Sequence, residues 1–184
     1  MSLKECDTKA NAWQIRATGG LNIKLTYICL FCSIALPLII ANPPLIIQTI
    51  PPLEMCARCC LIHLGCVLFC ILRVALFRTT SEQDIDGSGL TQPSAEMRIL
   101  SALLQNTFEQ TFIAISTYGC WAILMPADWQ GAIPLSTCFF LLGRILFYVG
   151  YKNGSRGRAI GFALTMIPTL NMFMVLIGKL VYGH

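Results

Sequence analysis

Long apolar runs separated by short polar joints dominate the chain. Five runs stand out: residues 25–41, 55–77, 99–125, 131–151 and 159–181. Each holds at least roughly 17 residues, enough to cross a hydrocarbon core of ~30 Å at 1.5 Å per residue. Proline and glycine mark the joints, at Pro43-Pro44, Pro51-Pro52, Gly87-Ser88-Gly89, Pro126 and Asn153-Gly154-Ser155. Backbone polar groups find no water partner in lipid, so the runs are expected to be helices. A barrel would require short alternating strands, and these runs do not alternate. The pattern therefore predicts an all-α membrane protein with five transmembrane helices.

Composition agrees. Charged residues make up 12% of the 184 and hydrophobic residues 55%, where a soluble domain carries about 25% charge. Disorder, collagen, coiled coil and a secreted disulfide scaffold are excluded. Residues 99–151 carry only Glu109, Asp128 and Arg144, and residues 159–184 only Lys179. Basic residues set the orientation. With the N-terminus inside, nine of the 13 Lys and Arg fall on the inner side: Lys4, Lys9, Arg16, Lys24, Arg78, Arg98, Lys152, Arg156 and Arg158. Only Arg58 and Lys179 fall outside, while Arg73 and Arg144 lie within spans. The expected topology is a cytosolic N-terminus and an outer or lumenal C-terminus, in an endomembrane or a bacterial inner membrane. The net charge of +4 reflects this bias and needs no nucleic-acid partner. The long charged lead-in and long first apolar run argue against a cleaved signal peptide. The sequon at Asn153 would face the cytosol and stay unmodified.

The ten cysteines lie mostly within spans, which argues against a disulfide framework. Cys56, Cys59, His63, Cys66 and Cys70 share one helical stripe. A soft-metal cage needs tetrahedral donors, and one straight helix face cannot build it alone. The expected role is small, adaptable side chains at a helix contact.

Polar side chains inside spans carry the functional signal. The third run holds Gln105, Asn106, Glu109 and Gln110. Asn106 and Glu109 share a face at i and i+3, with Arg98 earlier on it. The fourth run places Arg144, Tyr148 and Tyr151 on one face. Arg73 lies near the inner end of the second run, and Arg156 and Arg158 open the fifth. Asn106, Glu109 and Arg144 fall at similar depth, roughly 10–16 Å from the inner side. A buried carboxylate needs a partner, and Arg144 is the expected one for Glu109. Several guanidiniums around one acid suit a small zwitterion with two carboxylates and one amine. An arginine beside a thiol also stabilises the thiolate.

These residues resemble a known family. Leu104-Gln105-Asn106-Thr107-Phe108-Glu109-Gln110 is similar to the Asn-x-x-Glu signature of the MAPEG family, the membrane-associated proteins in eicosanoid and glutathione metabolism. The stretch Gly143–Tyr151 and then Arg158-x-x-Gly161-Phe162 resemble that family's next two helices. The resemblance runs from about Arg73 to Val181. It implies a MAPEG-like four-helix bundle over residues 55–184, preceded by a tail over 1–24 and an extra helix with its outer loop over 25–54. A five-span arrangement is similar to that of transmembrane protein 79 and of bacterial members. The resemblance further implies a homotrimer that binds glutathione between subunits on the cytosolic side. Asn106 and Glu109 would then contact glutathione, with Glu109 at its amino group. Arg144, Tyr148 and Tyr151, with Gln105, Arg98 and Arg73 around them, would complete the binding set, and Arg158 would stabilise the thiolate. No metal is implied. Two positions depart from the family pattern: Ala102 stands where an arginine is common, and Phe147 where some members have a tyrosine.

The leading expectation is thus a glutathione-dependent transferase or peroxidase acting on lipophilic electrophiles delivered from the bilayer, a detoxification chemistry. The alternative is a non-catalytic MAPEG-like protein that binds a lipid or a membrane partner, a reading that Ala102 and Phe147 favour. A transporter or channel subunit is a third class, suggested by Pro168 and Asn171 in the fifth run, but no inverted repeat supports it.

Overall fold

A computed structural model describes Tyr27 and residues 50–87, 92–151 and 154–183. The first expected span, 25–41, lies outside the described residues apart from Tyr27. Among the described residues there are four α-helices and no strand: α1 Pro52–Thr80, α2 Ala95–Leu124, α3 Ala132–Gly150 and α4 Gly154–Tyr182. A single 3-10 turn, Ala127–Trp129, sits between α2 and α3. These helices cover the last four apolar runs and overshoot most of their ends, because helix propensity continues into the polar flanks where lipid no longer selects.

Each helix boundary has a local cause. Pro51 and Pro52 start α1, where a missing N–H costs nothing. Ser94 caps α2 by accepting from the Met97 N–H at 3.1 Å. Pro126 ends α2, leaving Met125 extended. Gly154, at φ +71°, supplies the left-handed residue that opens α4.

Three stretches are long and apolar enough to cross a membrane: Pro52–Thr80, Ala127–Gly150 and Gly157–Tyr182. The expected span at 99–125 is a 30-residue helix, about 45 Å long, yet it falls outside that group. Its row of Gln105, Asn106, Glu109 and Gln110 lowers its hydropathy.

The helices form an antiparallel bundle. α3 packs most extensively on α4, and α1 on α2, with further contacts from α1 to α3 and from α2 to α4. Going round the bundle the order is α1, α2, α4, α3. One end holds the tight α2–α3 turn; the other holds the α1–α2 loop and the α3–α4 joint. The core at the turn end is apolar, built on Trp121, Tyr118, Phe140, Ile133 and Met172. The cysteine stripe faces it: Cys56, Cys59, His63 and Cys70 are buried. The His63 ring centroid lies 4.1 Å from that of Phe140, and its Nδ1–H donates to the Cys59 carbonyl, 2.9 Å away. Gln130 closes the turn by donating to the Met125 carbonyl at 2.9 Å, and Trp121 Nε1 donates to the Trp129 carbonyl at 2.9 Å.

The α3–α4 seam is a glycine contact. A Cβ on Gly143 would lie 2.6 Å from Thr165 Cγ2, and one on Gly150 2.6 Å from the Gly157 carbonyl carbon. A Cβ on Gly161 would lie 2.6 Å from the Gly143 carbonyl oxygen and closer still to the Phe147 backbone nitrogen. Small residues let the two backbones touch, as in lipid-embedded helix pairs generally. This contact fixes where Arg158 and Thr165 of α4 meet Tyr151 and Arg144.

Candidate functional site

The polar row of α2 splits into two faces. Asn106 and Gln110, at i and i+4, face the bundle. Gln105 and Glu109, also at i and i+4, face outward and are exposed. The inward pair meets Arg144. Arg144 Nη1 donates to Asn106 Oδ1 at 2.9 Å, and Nη2 donates to Gln110 Oε1 at 3.2 Å and to Thr165 Oγ1 at 2.7 Å. The Thr165 hydroxyl also bonds to Gln110 Oε1. The guanidinium carbon lies 4.7 Å from the Phe147 ring centroid, close enough for a cation–π contact. α2, α3 and α4 are thus tied together through one buried arginine.

The expected pairing of Glu109 with Arg144 does not form within the chain. Glu109 instead accepts from Gln105 Nε2 at 3.0 Å on the exposed face. The cause is helical register. Glu109 lies about 100° round the helix from Gln110, so one residue cannot serve both faces. Neutral amides and a hydroxyl take the place of the carboxylate at Arg144.

Two pockets lie on either side of this knot. The first is about 390 Å³ and lies among α2, α3 and α4. Ala102, Asn106, Phe147, Tyr151, Arg158 and Phe162 line it. The Arg158 guanidinium carbon stands 5.0 Å from the Tyr151 ring centroid, and the Tyr151 and Phe147 rings are 5.7 Å apart. Among the described residues no carboxylate pairs with Arg158. Asn106 commits its oxygen to Arg144, so its amide N–H₂ remains to serve the pocket. A cation, an amide donor and a phenol therefore share one space. Ala102 and Phe147, the two positions singled out in the sequence, line the same space.

The second pocket, about 400 Å³, lies among α1, α2 and α3 and takes in Arg144 and Tyr148. The expected site residues thus divide. Asn106, Tyr151 and Arg158 come together. Arg144 and Tyr148 line the other pocket, with Arg144 reaching the first through Asn106. Gln105 and Glu109 lie on the outer face of α2. Arg73 and Arg98 are exposed and line neither pocket.

Two partners of Arg144 lay outside the expected binding set: Gln110, noted in sequence only as a polar residue of the third run, and Thr165. Each had a positional signal. Gln110 is one turn from Asn106, and Thr165 is two turns from Arg158, each on the same face as its neighbour.

The α1–α2 loop at this end has its own clamp. Asp84 accepts from the Ser81 hydroxyl at 2.6 Å and from the Ser94 backbone N–H at 2.9 Å. These bonds hold its carboxyl below the usual 3.8, the Ser81 bond contributing most.

A family model, that of the MAPEG family, matches residues 56–178. That range takes in all but the ends of the four helices and every residue of both pockets. No curated protein and no solved structure matches the chain.

Proposed function

The chain belongs to the MAPEG family, and from that premise we propose that it is a glutathione-dependent membrane transferase or peroxidase acting on lipophilic electrophiles. It is an integral membrane protein of helices, and the family points to glutathione or eicosanoid metabolism. The observation that carries the finer reading is the pocket that joins Arg158, Tyr151 and Asn106.

The residues present fit glutathione. Arg158 supplies a cation without an acidic partner among the described residues. Asn106 supplies an amide donor held in place by Arg144, and Tyr151 a phenol. A tripeptide with two carboxylates and a thiol needs donors and positive charge, and these residues give both. When bound, glutathione would supply the thiol nucleophile. Arg158 would favour its anionic form through charge, and the rings of Phe147, Tyr151 and Phe162 would keep water from the space. Homotrimeric assembly belongs to the same proposal. The exposed Gln105–Glu109 pair would then face a neighbouring copy, where Glu109 is available to a ligand's amino group. So does the orientation with the Arg158 end in the cytosol.

The test is glutathione binding to the detergent-purified full chain, read as thiolate absorbance beside Arg158→Ala. The wild type is expected to bind and to show thiolate. The variant is expected to lose about tenfold or more of the thiolate signal at pH 7. Absence of binding in the wild type would sink the reading.

Ala102 and Phe147 favour a second reading, a non-catalytic member that binds a lipid or a membrane partner. Both line the Arg158 pocket, so an arginine and a tyrosine are missing where the family places them. Transferase activity that appears only in the double variant Ala102→Arg with Phe147→Tyr would assign the natural chain to this reading.

A further inference from the structure

The two pockets share one wall. Phe147 lines both, and no other described residue does. On one side is the apolar space among α1, α2 and α3, about 400 Å³, with Ile62, Phe69, Leu103 and Ile145 around it. On the other is the Arg158 pocket, about 390 Å³. Neighbouring residues of α2 divide between them. Ala102 and Asn106 line the Arg158 pocket, and Leu103 and Thr107 the apolar one. α2 and α3 stand diagonally in the bundle and pack little on each other directly. What separates the two spaces is the Phe147 ring, 5% exposed, with the Arg144–Asn106 bond one turn deeper.

The backbone of Phe147 is fixed, while its ring is held by lighter contacts. Gly161 of α4 lies directly against the Phe147 main chain, so α3 cannot shift there. The ring itself meets the Arg144 guanidinium carbon 4.7 Å from its centroid and the Tyr151 ring at 5.7 Å. Neither contact is a hydrogen bond. Core rings are ordinarily locked by close packing on every side, whereas this one has a cavity on each side. An aromatic side chain on a helix has two staggered χ1 wells, and a turn from one to the other needs space beside the ring. That space is present.

We propose that Phe147 is a gate between the two pockets and sets which electrophiles the Arg158 site accepts. In the rotamer seen here the ring closes the apolar space off from Arg158. Turned into the apolar space, it joins the two between α2 and α3 at the level of Ala102 and Leu103. An elongated apolar electrophile then lies with its tail against Leu103 and Ile145 and its reacting carbon toward Arg158. A compact electrophile reaches Arg158 without that turn, so the gate discriminates by length. The gate itself needs no ligand. Its consequence for substrate choice rests on the glutathione reading.

Cys66 reports the opening. It lines the apolar space and is half-buried, whereas Cys56 and Cys59 are buried toward the opposite end of the bundle. The full chain in a non-ionic detergent would be treated with a small anionic methanethiosulfonate, which enters from water, and the labelled cysteines mapped by peptide mass spectrometry. A gate that is open a small fraction of the time predicts that Cys66 reacts about tenfold or more faster in Phe147→Ala than in the wild type. It should react more slowly still in Phe147→Trp, with Cys56 and Cys59 at wild-type rates throughout. Adding Ala102→Trp, at the exposed mouth of the Arg158 pocket, should return Phe147→Ala to the wild-type rate, because the reagent enters there. A wild type no faster than Phe147→Trp would mean a fixed wall. Equal acceleration at Cys56 and Cys59, in Phe147→Ala and the milder Phe147→Leu alike, would mean that the ring holds the bundle and not a passage. Either result, or entry indifferent to Ala102→Trp, overturns the gate. With glutathione present, Phe147→Ala should raise kcat/KM for a long-chain α,β-unsaturated aldehyde about tenfold relative to a compact aryl halide. A wild type that binds no glutathione sinks the glutathione reading and leaves the Cys66 result standing. Glutathione bound, with Cys66 indifferent to residue 147, keeps that reading and sinks the gate.

Discussion

Arg144 is the residue on which the polar interior turns. Its bonds to Asn106, Gln110 and Thr165 join three helices, and hydrogen bonds to a charged group contribute about 1.5–3 kcal/mol. Asn106→Ala would remove one of them and is expected to cost that amount, read as a lower melting temperature in detergent. Asn106→Asp would keep an acceptor at Arg144 while removing the amide donor from the Arg158 pocket. Stability is then expected to hold while binding of an anionic ligand falls about tenfold. If Asn106→Asp melts like Asn106→Ala, the amide oxygen is not what Arg144 grips. Sequence alone located Arg144, Asn106 and Gln110, because a polar group inside an apolar run is costly and therefore conspicuous. It did not locate the right pairs. Charge complementarity pointed to Glu109, but the one-residue offset between Glu109 and Gln110 decides which faces the bundle, and that rotation depends on how α2 sits between its neighbours.

At the scale of elements, two contacts set the geometry of the site end, the glycine seam of α3 with α4 and the Asp84 clamp on the α1–α2 loop. Gly161→Ala would force a Cβ against the Gly143 carbonyl and the Phe147 backbone. Both are main chain and cannot turn aside. The expected cost is about 1–3 kcal/mol, with loss of ligand binding because Arg158 moves relative to Tyr151. Gly178→Ala, where a Cβ meets nothing within 4 Å, is the matched control and should be silent. The clamp predicts a pH dependence. The folded-state pKa of Asp84 is depressed by its bonds to Ser81 and Ser94. Its contribution to stability is therefore present above the unfolded value of 3.8 and is lost as pH falls through the folded value. Asp84→Asn should melt below the wild type at pH 7, and the gap should close below pH 3.8. A gap that persists into acid would mean that the carboxylate charge is not what holds the loop. The four described helices were legible from length and apolarity, and several of their ends from proline and glycine. The seam was not, since nothing in the sequence relates Gly143 and Gly150 of one helix to Gly157 and Gly161 of the next. Only the crossing of two backbones gives their spacing a meaning.

For the whole molecule, the bundle places the α1–α2 loop and the α3–α4 joint at one end and the α2–α3 turn at the other. Basic residues gather at the first end, with Arg78, Arg98 and Arg158 there against Arg58 and Lys179 toward the second. Lys179 reaches the Leu124 carbonyl at the last turn of α2, so this cation is partly neutralised by a helix C-terminus. Because cytosolic loops retain lysine and arginine, the asymmetry supports the proposed orientation, in which the Arg158 pocket faces the cytosol and a water-soluble thiol peptide is within reach. In that orientation the apolar pocket among α1, α2 and α3 would open toward the bilayer. That division of access makes the orientation a functional matter, and it can be tested without any ligand. In a eukaryotic membrane, a glycosylation acceptor tag appended after His184 is expected to be modified, while the native sequon at Asn153 stays bare. Glycan at Asn153 with a bare tag would place the Arg158 pocket on the outer face. The charge asymmetry would then have to be explained by something other than insertion, and a cytosolic thiol peptide could no longer be the ligand.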